Sequence, residues 1–300
     1  MPEPAPIAII LNPSAGTANA QAQTNAELCD LFRAFGCDPE IVVLRSAQKP
    51  EEAARALSAR ASIVVAGGGD GTVSGVAAGI VGSQAALGIL PLGTLNHFAK
   101  DLHIPLGLRQ AVEVVAARHC ARVDVGQVND RVFINNSSIG LYPGVVEERE
   151  ELRRQGHRKW PAMAIATFRV VRRYRGVTVG IDVDGVRRTW QTPFVFVGNN
   201  EYAIDGIGLG ARPRLDEGKL YVYLTPRTRA RSLPMLLAKA LLGRASQSGE
   251  FEIVPATELT IDTPRARRIR VAVDGEVTTM TTPLRYRTCP WALQVVVPRA

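Results

Sequence analysis

The chain has 300 residues, which suggests about two domains at the roughly 150 residues that are usual for one. Hydrophobic residues make up 46% and charged residues 21%, which is ordinary for a globular protein and excludes a disordered chain. The 36 basic and 28 acidic side chains give a net charge of +8, which favours anionic partners such as nucleotide phosphates, nucleic acid or an acidic membrane surface.

The cysteines and the apolar runs bear on the cellular compartment. The four cysteines are Cys29, Cys37, Cys120 and Cys289. They show no CxxC spacing, which argues against a zinc site or a disulfide-stapled secreted scaffold and favours a reducing compartment. No apolar run approaches the roughly 18 residues of a spanning helix, and the first residues lack the basic region of a signal peptide. We therefore expect a cytoplasmic protein that does not span the membrane.

The first 120 residues alternate short apolar runs with helical periodicity, which is typical of βα units around a parallel sheet. Strands are predicted at 7–11, 41–44, 63–66 and 87–90. Helices are predicted at 20–35, 50–60, 72–81 and 108–118. This order predicts a Rossmann-like, three-layer α/β domain.

After residue 123 the pattern changes to strand-like runs that follow one another, with helical insertions near 161–174 and 232–242. The predicted strands are 132–134, 177–183, 194–197, 220–224, 258–261, 269–273 and 293–297. Asp184-Gly185 and Asp274-Gly275 are dipeptides typical of hairpin turns. We predict a nucleotide-binding domain from 1–123, joined by about 291–300. A mostly antiparallel β-sandwich from 124–290 would follow it, with the active site in the cleft between them.

A glycine-rich segment at 65–73, Val-Ala-Gly-Gly-Gly-Asp-Gly-Thr-Val, joins a predicted strand to a predicted helix. Glycines allow the backbone to approach a ligand closely, and the N–H groups at a helix start attract anions. Asp70 would repel phosphate unless a divalent cation lay between them, so it is a candidate Mg²⁺ ligand. The alternative is a tight turn in which Asp70 caps the helix. The segment matches neither GxxxxGK[ST] nor GxGxxG.

Two further loops follow strands of the same predicted sheet, Asn-Pro-Ser-Ala-Gly at 12–16 and Pro-Leu-Gly-Thr-Leu-Asn at 91–96. Ligands of open α/β sheets bind beyond the carboxyl ends of the strands. We therefore expect these loops and the glycine loop to converge on one crevice.

With these motifs in place, the chain resembles the diacylglycerol kinase catalytic-domain family, which includes sphingosine kinases and bacterial soluble lipid kinases. The resemblance continues through Asn-Ser-Ser-Ile-Gly at 136–140, Asp-Glu-Gly-Lys-Leu at 216–220 and Val-Asp-Gly-Glu at 273–276. It implies ATP-dependent phosphorylation of a lipid hydroxyl, with Mg²⁺ as the metal and diacylglycerol or a related lipid alcohol as acceptor.

The resemblance also implies roles for individual residues. The implied nucleotide-site residues are Asn12, Pro13, Ser14, Ala15, Gly16, Ser46, Gly67, Gly68, Gly69, Asp70, Gly71, Thr72, Val73, Ser74, Thr94, Asn96 and Glu276. Asp274 takes the position of the general base, with Asp70 as its catalytic partner. A structural magnesium site is implied around Arg214, Glu217 and Lys219.

Two positions depart from the family pattern, and two aspartates have alternative interpretations. His97 replaces an aspartate of the family, and Glu217 replaces the second aspartate of the usual Asp-Asp-Gly. Asp274 considered alone is a simple Asp-Gly turn, and the family context favours the base. Asp124 is either a partner of the structural magnesium network or a surface carboxylate on an edge strand.

Two basic segments predict contact with an anionic membrane surface. Between 149 and 175 nine basic residues are interleaved with Trp160, Met163, Ile165 and Phe168, and between 227 and 244 arginines accompany leucines on one helical face. The alternative for the second segment is a core-facing helix with a basic solvated side. We expect peripheral binding at the inner face of the membrane, and an exposed sheet edge could support a homodimer.

Three other functions compete with a lipid kinase. A soluble kinase of the NAD kinase type shares the Gly-Gly-Asp-Gly-Thr motif, but the sequence at 90–96 argues against it. A nucleotide- or lipid-binding module with decayed catalysis is disfavoured by the presence of both Asp70 and Asp274. Nucleic-acid binding is suggested by charge alone, and no motif supports it.

Overall fold

The computed structural model describes residues 6–12, 18–45, 48–140, 177–183, 185–205, 208–224, 252–264 and 266–299. The chain divides into two compact units, one formed by Met1–Val125 with Pro290–Ala300 and the other by Gly126–Cys289. Two long strands, β5 (Cys120–Val128) and β18 (Leu284–Val296), each begin in one unit and end in the other.

The first unit contains a parallel sheet in the order β2-β1-β3-β4. Its strands are β1 (Ile7–Leu11), β2 (Glu40–Val43), β3 (Ile63–Gly68) and β4 (Ala86–Pro91), and the end of β18 pairs in parallel with β4. Every residue of β1, β3 and β4 is buried, as expected for a sheet with both faces covered. Leu11 lies opposite Gly67 and Gly68 opposite Pro91, so these three strands end together at one edge.

The helices of the first unit are α1 (Ala18–Ala34), α2 (Pro50–Leu57), α3 (Asp70–Ile80), α4 (His97–Asp101) and α5 (Leu108–Ala117). Helices α2 and α3 pack closely. A Cβ on Gly79 would lie 2.3 Å from the Glu51 carbonyl oxygen, and one on Gly75 would lie 2.9 Å from Pro50 Cβ. Helix packing therefore accounts for both of these glycines.

The second unit contains a six-stranded antiparallel sheet in the order β14-β13-β10-β7-β16-β17. Its strands are β7 (Asn136–Gly140), β10 (Phe194–Asn199), β13 (Leu220–Leu224), β14 (Glu252–Ala256), β16 (Arg268–Val273) and β17 (Glu276–Thr281). Strand β7 lies between β10 and β16, which places the Asn-Ser-Ser-Ile-Gly motif in the middle of the sheet.

The remaining strands of the second unit extend the sheet that contains β18. They are β6 (Arg131–Phe133), β8 (Val177–Val183), β9 (Val186–Thr192) and β15 (Glu258–Asp262), and a separate pair is formed by β11 (Ile204–Asp205) and β12 (Gly208–Leu209). Strand β15 pairs with β18, β8 with β15, β9 with β8, and β6 with β5. Side chains from this layer, such as Ile181 and Ile261, and from the six-stranded sheet, such as Val197 and Val222, form one buried cluster. The unit is therefore a β-sandwich.

This architecture confirms the predicted fold class, a parallel α/β domain followed by an antiparallel sandwich. Helix α3 begins earlier than the predicted residue 72, and the strand predicted at 293–297 is the end of the much longer β18. The helical insertions predicted near 161–174 and 232–242 lie outside the described residues. Among the helices that are described, none is long and apolar enough to cross a membrane.

Candidate functional site

The glycine loop connects β3 to α3 as predicted, and packing explains two of its glycines. A Cβ on Gly67 would lie 2.3 Å from Leu11 Cδ2, and one on Gly68 would lie 2.5 Å from Thr72 Oγ1. The N–H groups of Thr72 and Val73 both donate to the Gly69 carbonyl oxygen, at 2.9 and 3.1 Å, and so begin the helix. A side chain at Gly67 or Gly68 would therefore require the Leu11 or Thr72 side chain to move.

The loop after β4 touches the glycine loop backbone to backbone. A Cβ on Gly93 would lie 2.4 Å from Gly69 Cα, closer than real Cβ atoms approach another atom. The Leu92 N–H donates to the Gly68 carbonyl oxygen at 3.2 Å. A Cβ on Gly69 would lie 3.4 Å from Gly93 Cα, which is an ordinary contact, so this close approach explains Gly93 and leaves room at Gly69.

Gly71 differs from Gly67 and Gly68. A Cβ added to it would meet nothing within 4 Å, and its φ is not in the left-handed region. On the following turn, the Ser74 hydroxyl oxygen is buried and has no hydrogen-bond partner. The first N–H groups of an α-helix have no acceptor within the helix and favour an anion. The space beside Gly71 and the start of α3 therefore fit the phosphates of a nucleotide.

Asp70 is tied to the loop that follows β4. Its carboxylate accepts the Asn96 N–H at 3.1 Å and the His97 N–H at 2.7 Å, which caps the start of α4. Gly69 precedes α3, and no side-chain hydrogen bond caps that helix. The alternative prediction, that Asp70 caps its own helix, is therefore wrong, because the side chain reaches α4 instead.

Asn96 shapes its own loop. It is 7% exposed with a φ of 51°, and its amide nitrogen donates to the carbonyl oxygens of Pro91 at 3.2 Å and Gly93 at 2.9 Å. Its amide oxygen accepts the Gly93 N–H at 3.1 Å. Both amide hydrogens are thus engaged within the loop, so the side chain fixes the loop's shape, and the place of Asn96 in the nucleotide site stays a prediction. Thr94 is exposed at the same loop.

The loop after β1 joins the same edge of the sheet through Asn12. The Asn12 N–H donates to the Gly67 carbonyl oxygen at 3.1 Å, and its side-chain amide donates to Thr72 Oγ1 at 3.0 Å. Pro13, Ser14, Ala15, Gly16 and Ser46 lie outside the described residues. The described parts of the three predicted loops therefore meet at the carboxyl ends of β1, β3 and β4.

Asp274 follows β16 and has a φ of 47°, which places it in a left-handed turn with Gly275 at 86°. Its carboxylate accepts three consecutive N–H groups, from Ile134 and Asn135 at 2.9 Å and from Asn136 at 3.0 Å. Its own N–H donates to the Asn136 carbonyl oxygen at 2.8 Å. The turn therefore holds the carboxylate in a fixed orientation.

The residues of the metal site predicted at 214–219 make contacts within the protein, and the site itself stays a prediction. The Arg214 guanidinium donates to Asp216 at 3.0 Å, which raises the pKa of Arg214, and Glu217 accepts the Glu201 N–H at 3.2 Å. Burial, and then the charge of Glu217, raise the pKa of Tyr221 to about 12. Within the described ranges, no group of three or more His, Cys, Asp or Glu residues could hold a metal ion. Lys219 contributes its carbonyl oxygen to Asn200.

Asp124 is not a surface carboxylate, which corrects one of its two interpretations. It is 1% exposed and accepts the Trp291 N–H at 2.9 Å, and Trp291 has a φ of 54°. The side chain fixes the backbone of β18 where that strand enters the first unit.

The other predicted residues have simpler environments. Val73 is 4% exposed, so any ligand contact would come from its backbone. Glu276 is exposed at the start of β17, where its backbone pairs with Val273. The His97 side chain is exposed.

Sequence reasoning missed Arg212, which is 1% exposed and contacts the segment that binds Asp274. Nothing in the sequence around it separates this arginine from the many exposed ones.

An open cavity of about 630 Å³ in the second unit contains none of the predicted site residues. Its walls combine Asp130, Asp182 and Glu258 with Arg285 and Arg287.

Two family profiles match the chain. The profile described as the diacylglycerol kinase catalytic domain matches residues 6–128. The profile described as the YegS C-terminal NAD kinase beta sandwich-like domain matches residues 142–297.

Curated relatives carry the name diacylglycerol kinase. One from Staphylococcus aureus (strain bovine RF122 / ET3-1) is 25% identical over 270 residues, which cover 89% of this chain and 85% of the relative. One from Staphylococcus haemolyticus (strain JCSC1435) is 37% identical over 134 residues, which cover 44% and 41%.

Solved structures share the fold. The crystal structure of a diacylglycerol kinase from Bacillus anthracis strain Sterne matches with a TM-score of 0.70 at 19% identity, over 98% of this chain and 97% of that one. Another structure from the same strain matches with a TM-score of 0.76 at 23% identity, over 98% and 95%.

Proposed function

Since the chain belongs to the diacylglycerol kinase family, we propose that it transfers the γ-phosphoryl group of ATP to a hydroxyl of diacylglycerol or a related lipid alcohol. The family matches cover both halves of the chain, and the Staphylococcus relatives are named for this activity. The lipid kinase implied by the family resemblance is thereby confirmed, and the choice of acceptor lipid is the finer proposal.

The observation that carries the proposal is the open side of the glycine loop at Gly71. A Cβ on Gly67 or Gly68 would meet Leu11 or Thr72 at 2.3 or 2.5 Å, but at Gly71 no neighbouring atom excludes a side chain. A glycine in that position is explained if a phosphate group approaches the backbone. Within the predicted segment 68–74, the N–H groups of Asp70 and Gly71 at the start of α3 would hold the ATP phosphates, with Asn12 and Thr94 at the neighbouring loops. The N–H groups of Thr72 and Val73 bond to the Gly69 carbonyl oxygen.

Phosphoryl transfer depends on positioning and on charge neutralisation, which Mg²⁺ supplies when it is bound with the nucleotide. We assign Asp70 as the protein ligand of Mg²⁺. Two backbone N–H groups orient its carboxylate. We assign the general base to Asp274, which would accept the proton of the lipid hydroxyl as the phosphoryl group is transferred. Three N–H groups hold that carboxylate in place.

We also propose that the protein binds anionic membranes peripherally, because its substrate is a lipid and its net charge is +8. The basic segments at 149–175 and 227–244 lie outside the described residues, so their composition is the support for this proposal. Sedimentation with phosphatidylserine vesicles should decrease steeply as salt rises. Absence of binding at low salt would contradict the proposal.

The matched variants Gly71→Ala and Gly79→Ala test the kinase proposal. In Gly71→Ala the methyl group enters open space, so the melting temperature should be unchanged or slightly raised. The kcat/KM for ATP should fall on the order of tenfold, equivalent to about 1.4 kcal/mol. In Gly79→Ala the methyl group meets the Glu51 carbonyl oxygen, so this variant should lose stability and retain its ATP affinity when folded.

The assay uses radiolabelled ATP with a panel of lipid alcohols in mixed micelles, and NAD as a competing acceptor. The NAD control is included because the second profile is described as NAD kinase-like. Phosphorylation of NAD without phosphorylation of any lipid would overturn the proposed function.

A further inference from the structure

Arg212 in the second unit is the largest of the fully buried side chains among the described residues, at 1% exposed. Removing a guanidinium group from water costs several kcal/mol unless its N–H groups find acceptors. A buried arginine therefore needs a specific set of partners, and those partners indicate what the residue does.

The acceptors of Arg212 belong mainly to one short segment between β6 and β7. One terminal nitrogen donates to the Ile134 carbonyl oxygen at 2.6 Å and to the Asn199 carbonyl oxygen at 3.1 Å. The other donates to the Asn135 side-chain oxygen at 2.8 Å. The guanidinium carbon lies 5.3 Å from the centre of the Tyr202 ring. The planar fork of an arginine suits this bidentate contact.

The same segment supplies all three of the N–H groups described at the Asp274 carboxylate. Its N–H groups thus bind the aspartate while an adjoining carbonyl oxygen and the Asn135 side chain bind the arginine. A shift of residues 134–136 would move the three donors together.

We propose that Arg212 is a positioning residue that holds residues 134–136 in the conformation in which they orient Asp274. The inference rests on the proposed function, in which Asp274 acts as general base. Arg212 acts through the segment and does not itself touch the reacting atoms.

The fold offers a way to separate this role from general stability. Asn199 Nδ2 also donates to the Ile134 carbonyl oxygen, at 3.1 Å, so this buried acceptor keeps a donor when Arg212 is replaced. Strand β7 is held on both sides by β10 and β16. The apolar cluster of the sandwich does not include Arg212. An unbranched apolar substitution should therefore fold.

The test compares Arg212→Met with Arg268→Met, which makes the same change at an exposed arginine on the strand that leads to Asp274. Amide hydrogen exchange is measured at 134–136, together with kcat and KM. We expect Arg212→Met to raise exchange at these amides at least tenfold, while exchange in β14, at the edge of the six-stranded sheet, is unchanged. We expect kcat to fall on the order of 100-fold, with KM for ATP within about twofold, as for a misplaced catalytic group. Arg268→Met should match the wild type in every measurement.

Arg212→Lys provides the measurement if Arg212→Met does not fold. A lysine keeps the charge but lacks the fork, so exchange at 134–136 should still rise and kcat should still fall, by less. Wild-type exchange at 134–136 in a folded variant overturns the inference, and so does raised exchange with unchanged kcat. A wild-type protein that phosphorylates no lipid overturns the proposed function. The exchange comparison still decides whether Arg212 holds the segment.

Discussion

In each unit, backbone N–H groups hold the carboxylate of one aspartate, Asp70 or Asp274, but the backbone conformation of the two aspartates differs. Asp70 accepts two N–H groups from the start of α4, and Asp274 accepts three from the segment before β7. Asp70 is the first residue of an α-helix, whereas Asp274 occupies a left-handed position in a tight turn. In each unit, backbone donors from a distant part of the chain fix the direction of a carboxylate.

The carboxylates of Asp70 and Asp274 have different structural roles. Asp70 fastens one loop to another at the edge of the parallel sheet, beside the open space at Gly71. Asp274 is itself the group that is held, since three donors converge on it and a buried arginine supports their segment. Replacement of Asp274 should therefore affect chemistry most, and replacement of Asp70 should affect the proposed metal contact together with the shape and stability of the nucleotide loops.

The largest expected effect follows from Asp274→Asn. Asparagine tolerates the left-handed turn but removes the charge and places an NH₂ group against one of the backbone donors. The kcat measured at saturating ATP should fall by roughly 10²–10⁴-fold, the usual contribution of a general base. Melting temperature should also fall, because one buried donor is left without its acceptor.

Asp182→Asn is the control for that loss. Asp182 accepts the Gly185 N–H at 3.0 Å beside the other Asp-Gly turn of the same unit, so its replacement makes an equivalent chemical change. This variant should lose some stability and keep its turnover. Near-normal turnover in Asp274→Asn would remove Asp274 from the mechanism.

The comparison also shows which features could be predicted from the sequence. Strands β1, β3 and β4 of the first unit are apolar runs that end at or shortly before glycine or proline, so their positions and the meeting of their loops were predictable. Strand β7 was not, because its Asn-Ser-Ser-Ile-Gly motif lacks an apolar pattern. In the structure, the Ser137 hydroxyl is paired with the buried Tyr286 hydroxyl at 3.0 Å.

The contacts that hold the two aspartates were beyond sequence reasoning for a physical reason. Asp274 meets its donors across about 140 residues of chain, and Asp70 meets its donors across 26 and 27. These contacts are made by backbone N–H groups, which every residue except proline possesses. No residue type at 134–136 or at 96–97 therefore marks them, although the acceptor aspartates stand out within their motifs.

A smaller effect is expected from Asp70→Asn, and it distinguishes loop organisation from chemistry. The asparagine oxygen can keep one N–H donor, whereas its NH₂ group must face the other. The free energy of unfolding should fall by about 1–3 kcal/mol, the cost of an unsatisfied donor. His97→Ala is the matched control, because His97 contributes its backbone N–H to this contact and alanine retains it. Thermal unfolding with and without Mg²⁺–ATP measures both variants.

If Asp70→Asn melts like the wild type without nucleotide, the link between the loops does not stabilise the unit. If it melts lower but gains as much from Mg²⁺–ATP as the wild type, Asp70 organises the loops without holding the metal.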